Sequence, residues 1–455
     1  MQQMGVGTGR AFNVTVRLST FLLTFSFLGS TAWAQHLPDA PHVAEDGLVS
    51  SPLSDDQAES KDQNPPAMPL TIEQALDLAE KNSPLLQEGQ ALVNRAQAGI
   101  RSAKAYTNPS FEFLEGHQSA RPIATPGVPG ILQHYSAGQT FEIPSERRSR
   151  IRVSQLDLTG AEYQLAGARL AVTANVKRAF YDVLRRKEQL AYANDNLALV
   201  EDLRRRTALE VQVGEKGKLE LTRSEAELAR ARAAVKTSDA QLAKARAVLK
   251  AMIGTPIEEN FEPQGGPDSG MILPPLTQIR QQMLAAHPAL SEAATRTQQA
   301  QTLVEHERAR RIPEPNVYGE YERQPDITFF RFGVNVPLPL WDRRKGPIAE
   351  AQAEVQRSEA SGRQRRLELL AALDSAYDQY QISDQQVQGL QAGSLREAQA
   401  AVDAARSAYK FGERGILEVL DAQRVLQGVR NDLLDSLYAR QAALIDLEEL
   451  GAIHP

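Results

Sequence analysis

Gly412-Glu413-Arg414-Gly415-Ile416-Leu417-Glu418 reads as a glycine-punctuated turn opening a helix, and Gly214-Glu215-Lys216-Gly217-Lys218-Leu219-Glu220 is the same turn written about 200 residues earlier. The correspondence extends outward from both copies in the same order. Leu70-Thr71 and Asn82-Ser83-Pro84 answer to Leu276-Thr277 and Ala286-His287-Pro288. Thr107-Asn108-Pro109-Ser110-Phe111 answers to Pro313-Glu314-Pro315-Asn316-Val317, and Ile143-Pro144-Ser145-Glu146-Arg147-Arg148 to Leu338-Pro339-Leu340-Trp341-Asp342-Arg343-Arg344. Landmarks that keep one order and a nearly constant offset mark a tandem duplication. The units are 70–253 and 276–451, joined by a connector over 254–275.

Each unit predicts the same series: a helix of about 35 residues closed by Pro, two short strands, a helix of about 65 residues, the glycine turn, and a helix of about 35 residues. The longest helix would reach about 100 Å at 1.5 Å per residue, so it needs partners along its whole length. Periodicity identifies them as other helices. After Gly217, Leu221, Leu228, Val235, Leu242 and Leu249 recur every heptad, with Ser224, Ala231, Ser238 and Ala245 as the small positions between them. After Gly415 the large positions are Val419, Leu426, Leu433 and Leu447, with Arg440 the single misfit; Ala422, Val429, Ser436 and Ala443 are the small ones. The preceding long helix carries two stripes, Leu156/Tyr163/Leu170 and Leu158/Leu165/Val172/Ala179. Contact on two sides fits a curved wall of helices, and it fits a coiled-coil rod equally well.

The strands separate these readings. Phe330, Phe332, Val334 and Val336 alternate with Arg331, Gly333 and Asn335; Tyr135, Ala137, Phe141 and Ile143 alternate with Ser136, Gly138, Thr140 and Glu142. With Ser110–Glu115 and Asn316–Arg323 as mates they form hairpins over 110–143 and 316–336, with loops at His117–His134 and Gln324–Thr328. One apolar and one polar face suits a strand between lipid and a watery lumen; a small soluble sheet would alternate too. Four strands cannot close a membrane barrel, which needs at least eight, so several chains would have to share one.

Composition narrows the class further. Net charge is −6, from 51 Lys+Arg against 57 Asp+Glu, which argues against nucleic acid as a partner. There is no Cys, so thiolate metal sites, cysteine nucleophiles and a lipidated N-terminal cysteine are excluded, and the seven His show no metal-ligand spacing. No serine-hydrolase elbow, phosphate-binding loop or zinc-protease motif occurs, so neither a catalytic residue, a metal site nor a cofactor is expected. Arg10 and Arg17, the apolar run Leu18–Leu28 and Ala32-Trp33-Ala34 make an export signal over 1–34, its centre too short for a mature span. Residues 35–69 are rich in Pro, Asp, Ser and Gln and read as a disordered linker.

This order of elements, written twice, resembles the TolC family of outer-membrane efflux channels, in the branch serving metal- and drug-exporting resistance–nodulation–division pumps. Its sharpest motif runs from Tyr409-Lys410-Phe411-Gly412 to Asp421-Ala422. The resemblance implies a mainly α chain with a membrane β-barrel portion: a homotrimer whose four strands per chain make a twelve-stranded barrel in outer-membrane lipid, continued by a periplasmic helical tunnel. It implies a passive conduit, with a periplasmic adaptor and an inner-membrane pump as partners, for metal ions or small toxic compounds. By the same resemblance Glu418 and Asp421 are the pore gate, Glu418 standing where Asp is usual. Tyr409, Arg414 and Glu220 form the latch that holds the tip shut. Gly214, Gly217, Gly412 and Gly415 mark the turns where the adaptor docks. The residues alone say less: Glu418 and Asp421 share a helix face, and acids there are favoured by the helix dipole in any case. The alternative is a non-channel periplasmic coiled-coil or adaptor protein. An adaptor would carry its helical hairpin once and add a lipoyl-like β-domain, and this chain repeats the hairpin and lacks that block.

Overall fold

The structure, a computed structural model, describes residues 68–118, 130–254, 261–267, 270–325 and 327–453. The export signal and nearly all of the linker reading fall outside the described residues. In chain order the first repeat comprises β1 (Met68–Leu70), α1 (Ile72–Asn82), α2 (Pro84–Lys104), β2 (Ser110–Gln118), β3 (Gly130–Thr140), α3 (Pro144–Gln212) and α4 (Lys218–Ile253). After β4 (Phe261–Pro263) the second comprises α5 (Leu276–Ala286), α6 (Pro288–Ala309), β5 (Asn316–Arg323), β6 (Thr328–Asn335), α7 (Lys345–Gly389), α8 (Leu395–Lys410) and α9 (Ile416–Glu449).

The helix boundaries follow the punctuation. Pro84 and Pro288 stand at the first positions of α2 and α6, where a missing N–H costs nothing. They break each expected 35-residue helix into two. Thr71 and Gln74 close a capping box at the start of α1. The long helix of the first repeat, α3, is continuous for 69 residues. Its counterpart is interrupted by a π-helical turn at Leu390–Ser394 between α7 and α8; the sequence pattern gave no warning of it beyond Gly389 and Gly393.

Packing follows the heptads. Among the α4 positions Ser224, Ala231, Leu242, Ala245 and Leu249 are buried, and the rest of the seam is half-buried. On α9, Val419, Leu426, Ser436, Ala443 and Leu447 are buried. Arg440, the misfit, is buried as well, and its guanidinium meets Asp384 of α7 at 2.9 Å. Its charge is thus kept inside by a partner from the neighbouring helix. Among the described residues the buried apolar side chains form four clusters: Phe180, Leu249, Ile253 and Phe261 lie in the first, drawn mainly from the first repeat, and Ile279, Met283, Leu373 and Leu447 in the second, drawn from the second repeat. The first is closed by a feature the sequence did not announce. β1 and β4, drawn from the expected linker and connector, pair in parallel, Met68 with Phe261 and Leu70 with Pro263.

The second sheet is four-stranded and antiparallel in the order β2-β3-β5-β6, so the two hairpins join through β3 and β5. Both strands of the first hairpin, β2 and β3, extend beyond their expected ends into the 117–134 segment: Gln118 pairs with Gly130. Phe141 and Ile143 lie past the end of β3, though the Phe141 amide still donates to the Pro315 carbonyl at 2.9 Å. Register places Phe113, Tyr135, Tyr321 and Phe330 in one cross-strand row, and Phe111, Ala137, Gly319 and Phe332 in the next, all on one face. The other face carries Glu112, Ser136, Glu320 and Arg331 in one row and Leu114, His134, Glu322 and Phe329 in the next, so it is mainly polar. Arg331 pairs with Glu320 and with Glu322, the latter at 3.1 Å. The apolar face is bare, with Phe111 72% and Phe332 78% exposed.

Candidate functional site at the glycine turns

At the far end of the long helices the two glycine turns have the same construction. α3 ends in Gly214 at φ 85° and α8 runs into Gly412 at φ 76°, a left-handed geometry that costs a residue with a Cβ and suits glycine. The Glu215 amide donates to the Glu210 carbonyl at 2.9 Å, and the Glu413 amide to the Ala408 carbonyl at 2.9 Å. These are the six-to-one bonds that finish a helix on a glycine. Gly217 and Gly415 then adopt extended backbone at the starts of α4 and α9. Val213 and Phe411, the residues before the left-handed glycines, are 70% and 77% exposed, and Leu219 and Leu417 are exposed just beyond the turns.

The two turns are tied together inside the chain by Tyr409. Its side chain is buried beside Val200, Leu203 and Ile416. Its hydroxyl donates to Glu210 Oε2 at 2.9 Å and lies 3.5 Å from Thr207 Oγ1. Lys216 Nζ sits 4.2 Å from the Tyr409 ring centroid and 3.0 Å from Glu210 Oε2. Burial, with Glu210 beside it, pushes the Tyr409 phenol above its ordinary value, so it remains a donor. Burial works against the charge of Lys216, but the hydrogen bond to Glu210 and that carboxylate's charge carry its pKa above the usual lysine value. The group is a charged knot between the α3–α4 hairpin and α8.

The residues expected at this end occupy different environments. Within the chain Arg414 meets Glu418 at 4.0 Å and both are exposed, while Glu220 has Lys216 as its cation at 3.8 Å. The structure therefore does not bring Arg414 to Glu220 inside one chain. Lys216 and Arg414 hold equivalent places in the repeat, yet the first turns in towards Glu210 and the second stays on the surface. Asp421 is 70% exposed and meets Arg424, which also reaches Glu227 at 3.0 Å. Glu418 and Asp421 both protrude into solvent, away from the buried Val419 and Leu420. Glu210, Thr207 and Lys216 were missed by the sequence reading. Lys216 lay in the quoted motif, but only the fold shows which side of the turn it takes.

Among the described residues no helix is long and apolar enough to cross a membrane, and no cluster of three or more His, Asp or Glu could hold a metal ion.

The profile described as "Outer membrane efflux protein" matches residues 75–255 and 279–451, one segment in each repeat. The chain is 27% identical over 367 residues to the cobalt-zinc-cadmium resistance protein CzcC of Cupriavidus metallidurans, covering 79% of this chain and 84% of that protein. It is 26% identical over 338 residues to the nickel-cobalt-cadmium resistance protein NccC of Alcaligenes xylosoxydans xylosoxydans, covering 70% and 71%. Its fold matches a crystal structure of CusC with a TM-score of 0.72 at 19% identity, over 83% of this chain and 91% of that one. With the duplication, the double hairpin and the paired glycine turns all inside the matched segments, this chain belongs to the outer membrane efflux protein family.

Proposed function

We propose that this chain is the outer-membrane channel of a tripartite efflux system, a passive conduit and not an enzyme, receiving solutes from an inner-membrane pump through a periplasmic adaptor. One observation carries the reading: a four-stranded sheet with two free edges and a bare apolar face stands on helices about 100 Å long. Strands of 8 to 11 residues suffice to cross an outer membrane when tilted. Three copies joined edge to edge give twelve strands, with Phe111, Phe113, Phe330 and Phe332 towards lipid and Glu112, Glu320, Glu322 and Arg331 towards the lumen. The acidic excess of that inner face favours cations. This accords with relatives named for resistance to cobalt, zinc, cadmium and nickel, so metal ions lead as cargo.

At the opposite end, Glu418 and Asp421 of three chains form the gate, and the Tyr409 knot, with Arg414 and Glu220 reaching between chains, holds it shut. The exposed Val213, Phe411, Leu219 and Leu417 around Gly214, Gly217, Gly412 and Gly415 offer the adaptor an apolar foothold. The test is the mass of the detergent-solubilised protein by light scattering. Three chains per particle are expected; a monomer stable without detergent would contradict the barrel, because the aromatic face could not stay in water.

A further inference from the structure

The four passages between sheet and helices lie at one end of the sheet, in residues 105–109, 141–143, 310–315 and 336–344. Two kinds of side chain crowd there. The first is apolar: Tyr106 is 72% exposed, Leu338 68% and Trp341 93%, with Phe141, Ile312 and Leu340 each at least half exposed. Phe141 keeps the parity of Tyr135 and Ala137, and Val336 that of Phe332 and Val334, so these residues prolong the sheet's apolar face towards the helices.

The second is cationic. Three arginines at this level are matched inside the chain: Arg150 with Glu142, Arg310 with Glu146, and Arg344 with Glu307. Lys104, Arg148, Arg311, Arg343 and Lys345 are exposed and have no carboxylate partner among the described residues. Arg147 lies over the Tyr106 ring at 4.4 Å. Several of these cations stand at the starts of α3 and α7, where the helix dipole disfavours positive charge, so helix stability does not explain them. The chain as a whole is acidic, at −6. Glu314 and Asp342 are the other acids of these passages, and the five cations without a carboxylate partner outnumber them, so positive charge gathers here beside the exposed aromatic side chains.

We propose that this cluster is a collar for anionic phospholipid headgroups: Trp341, Tyr106 and Leu338 sit in the acyl–headgroup boundary of the leaflet nearer the helices, and Arg148, Arg311, Arg343 and Lys345 take the phosphates below it. This rests on the outer-membrane reading of the sheet. Aromatic rings with one apolar and one polar side settle at such interfaces, and each basic residue near an anionic surface adds attraction. Guanidinium groups suit phosphate oxygens in particular.

Trp341 supplies the reporter, since the chain has only two Trp and the other is Trp33. The full chain carrying Trp33→Phe is reconstituted in vesicles of phosphatidylcholine containing a fraction of phosphatidylglycerol. One or the other lipid carries bromine near the headgroup end of its acyl chains. Trp341 fluorescence should be quenched by both, with phosphatidylglycerol selected about fivefold over its share of the mixture. That preference should fall towards unity in Arg311→Gln/Arg343→Gln and in high salt. Equal quenching by the two lipids overturns the collar. Quenching by aqueous iodide alone also overturns it, as does no quenching by any agent, the mark of a neighbouring copy covering Trp341. In each of these cases trimers that still conduct would leave the channel reading standing, whereas failure of the chain to enter vesicles would remove the channel reading itself.

Discussion

Tyr409 and Arg414 are five residues apart, yet their surroundings predict unequal consequences. Tyr409→Phe removes a part-buried hydrogen bond to Glu210, a loss of about 1 kcal/mol per chain. Arg414→Ser removes an exposed pair with Glu418, worth at most about 1 kcal/mol and commonly less. Summed over three chains, Tyr409→Phe should shift the open population by up to about 3 kcal/mol, and mean conductance should rise more than in Arg414→Ser. Equal effects would show that the latch lies between chains and not in the knot. Glu418→Ala/Asp421→Ala should weaken cation selectivity and leave assembly intact, because Val419 and Leu426 still fill the seam; unchanged reversal potentials would remove these acids from the gate. His287 carries a pH prediction. Its Nδ1 accepts the Ala289 amide at 3.1 Å, which requires a neutral ring, and burial, with Arg365 nearby, lowers its pKa from 6.5. The unfolded chain therefore takes up the proton first, and stability is full above about pH 6.5 and lost as pH falls. His287→Asn, which keeps the cap, should lower the melting temperature less between pH 7 and pH 5 than the native residue does. A steeper fall in the variant would contradict this. At this scale the sequence exposed the turn residues through the repeat, but not Glu210, whose role depends on meeting a tyrosine about 200 residues away.

At the scale of elements the heptads were legible because they impose a periodicity that few other structures share. What escaped were contacts without a period. β1 and β4 are three residues each and pair across almost the whole first repeat, too short to show alternation. The π-turn at Leu390–Ser394 is a local change of helical winding, invisible to a seven-residue count. Arg440 looked like an error in the seam and proved to be half of an ion pair with Asp384, packed against Gly270. Arg440→Ala should leave the Asp384 carboxylate without this guanidinium and destabilise the protein by roughly 2 to 3 kcal/mol, less than for a fully buried pair because Asp384 keeps 26% of its side chain in solvent. Thermal unfolding in detergent checks this, and Arg440→Ala/Asp384→Ala should recover part of the loss. If the single and double variants melt together, Asp384 does not depend on Arg440.

For the whole molecule, alternation disclosed the strands but not their assembly. Only the structure shows β3 beside β5, which fuses a hairpin from each repeat into one sheet and leaves β2 and β6 as open edges. Those edges, the exposed phenylalanines and the long helices below them make sense together if the sheets of three chains close on one another. The assembled protein is expected to conduct, and recording single channels from purified protein in a planar lipid bilayer measures this. Discrete current steps with a reversal potential favouring cations are predicted, with more frequent opening in Tyr409→Phe. Protein that inserts into the bilayer as a trimer and passes no current in either form would contradict this expectation.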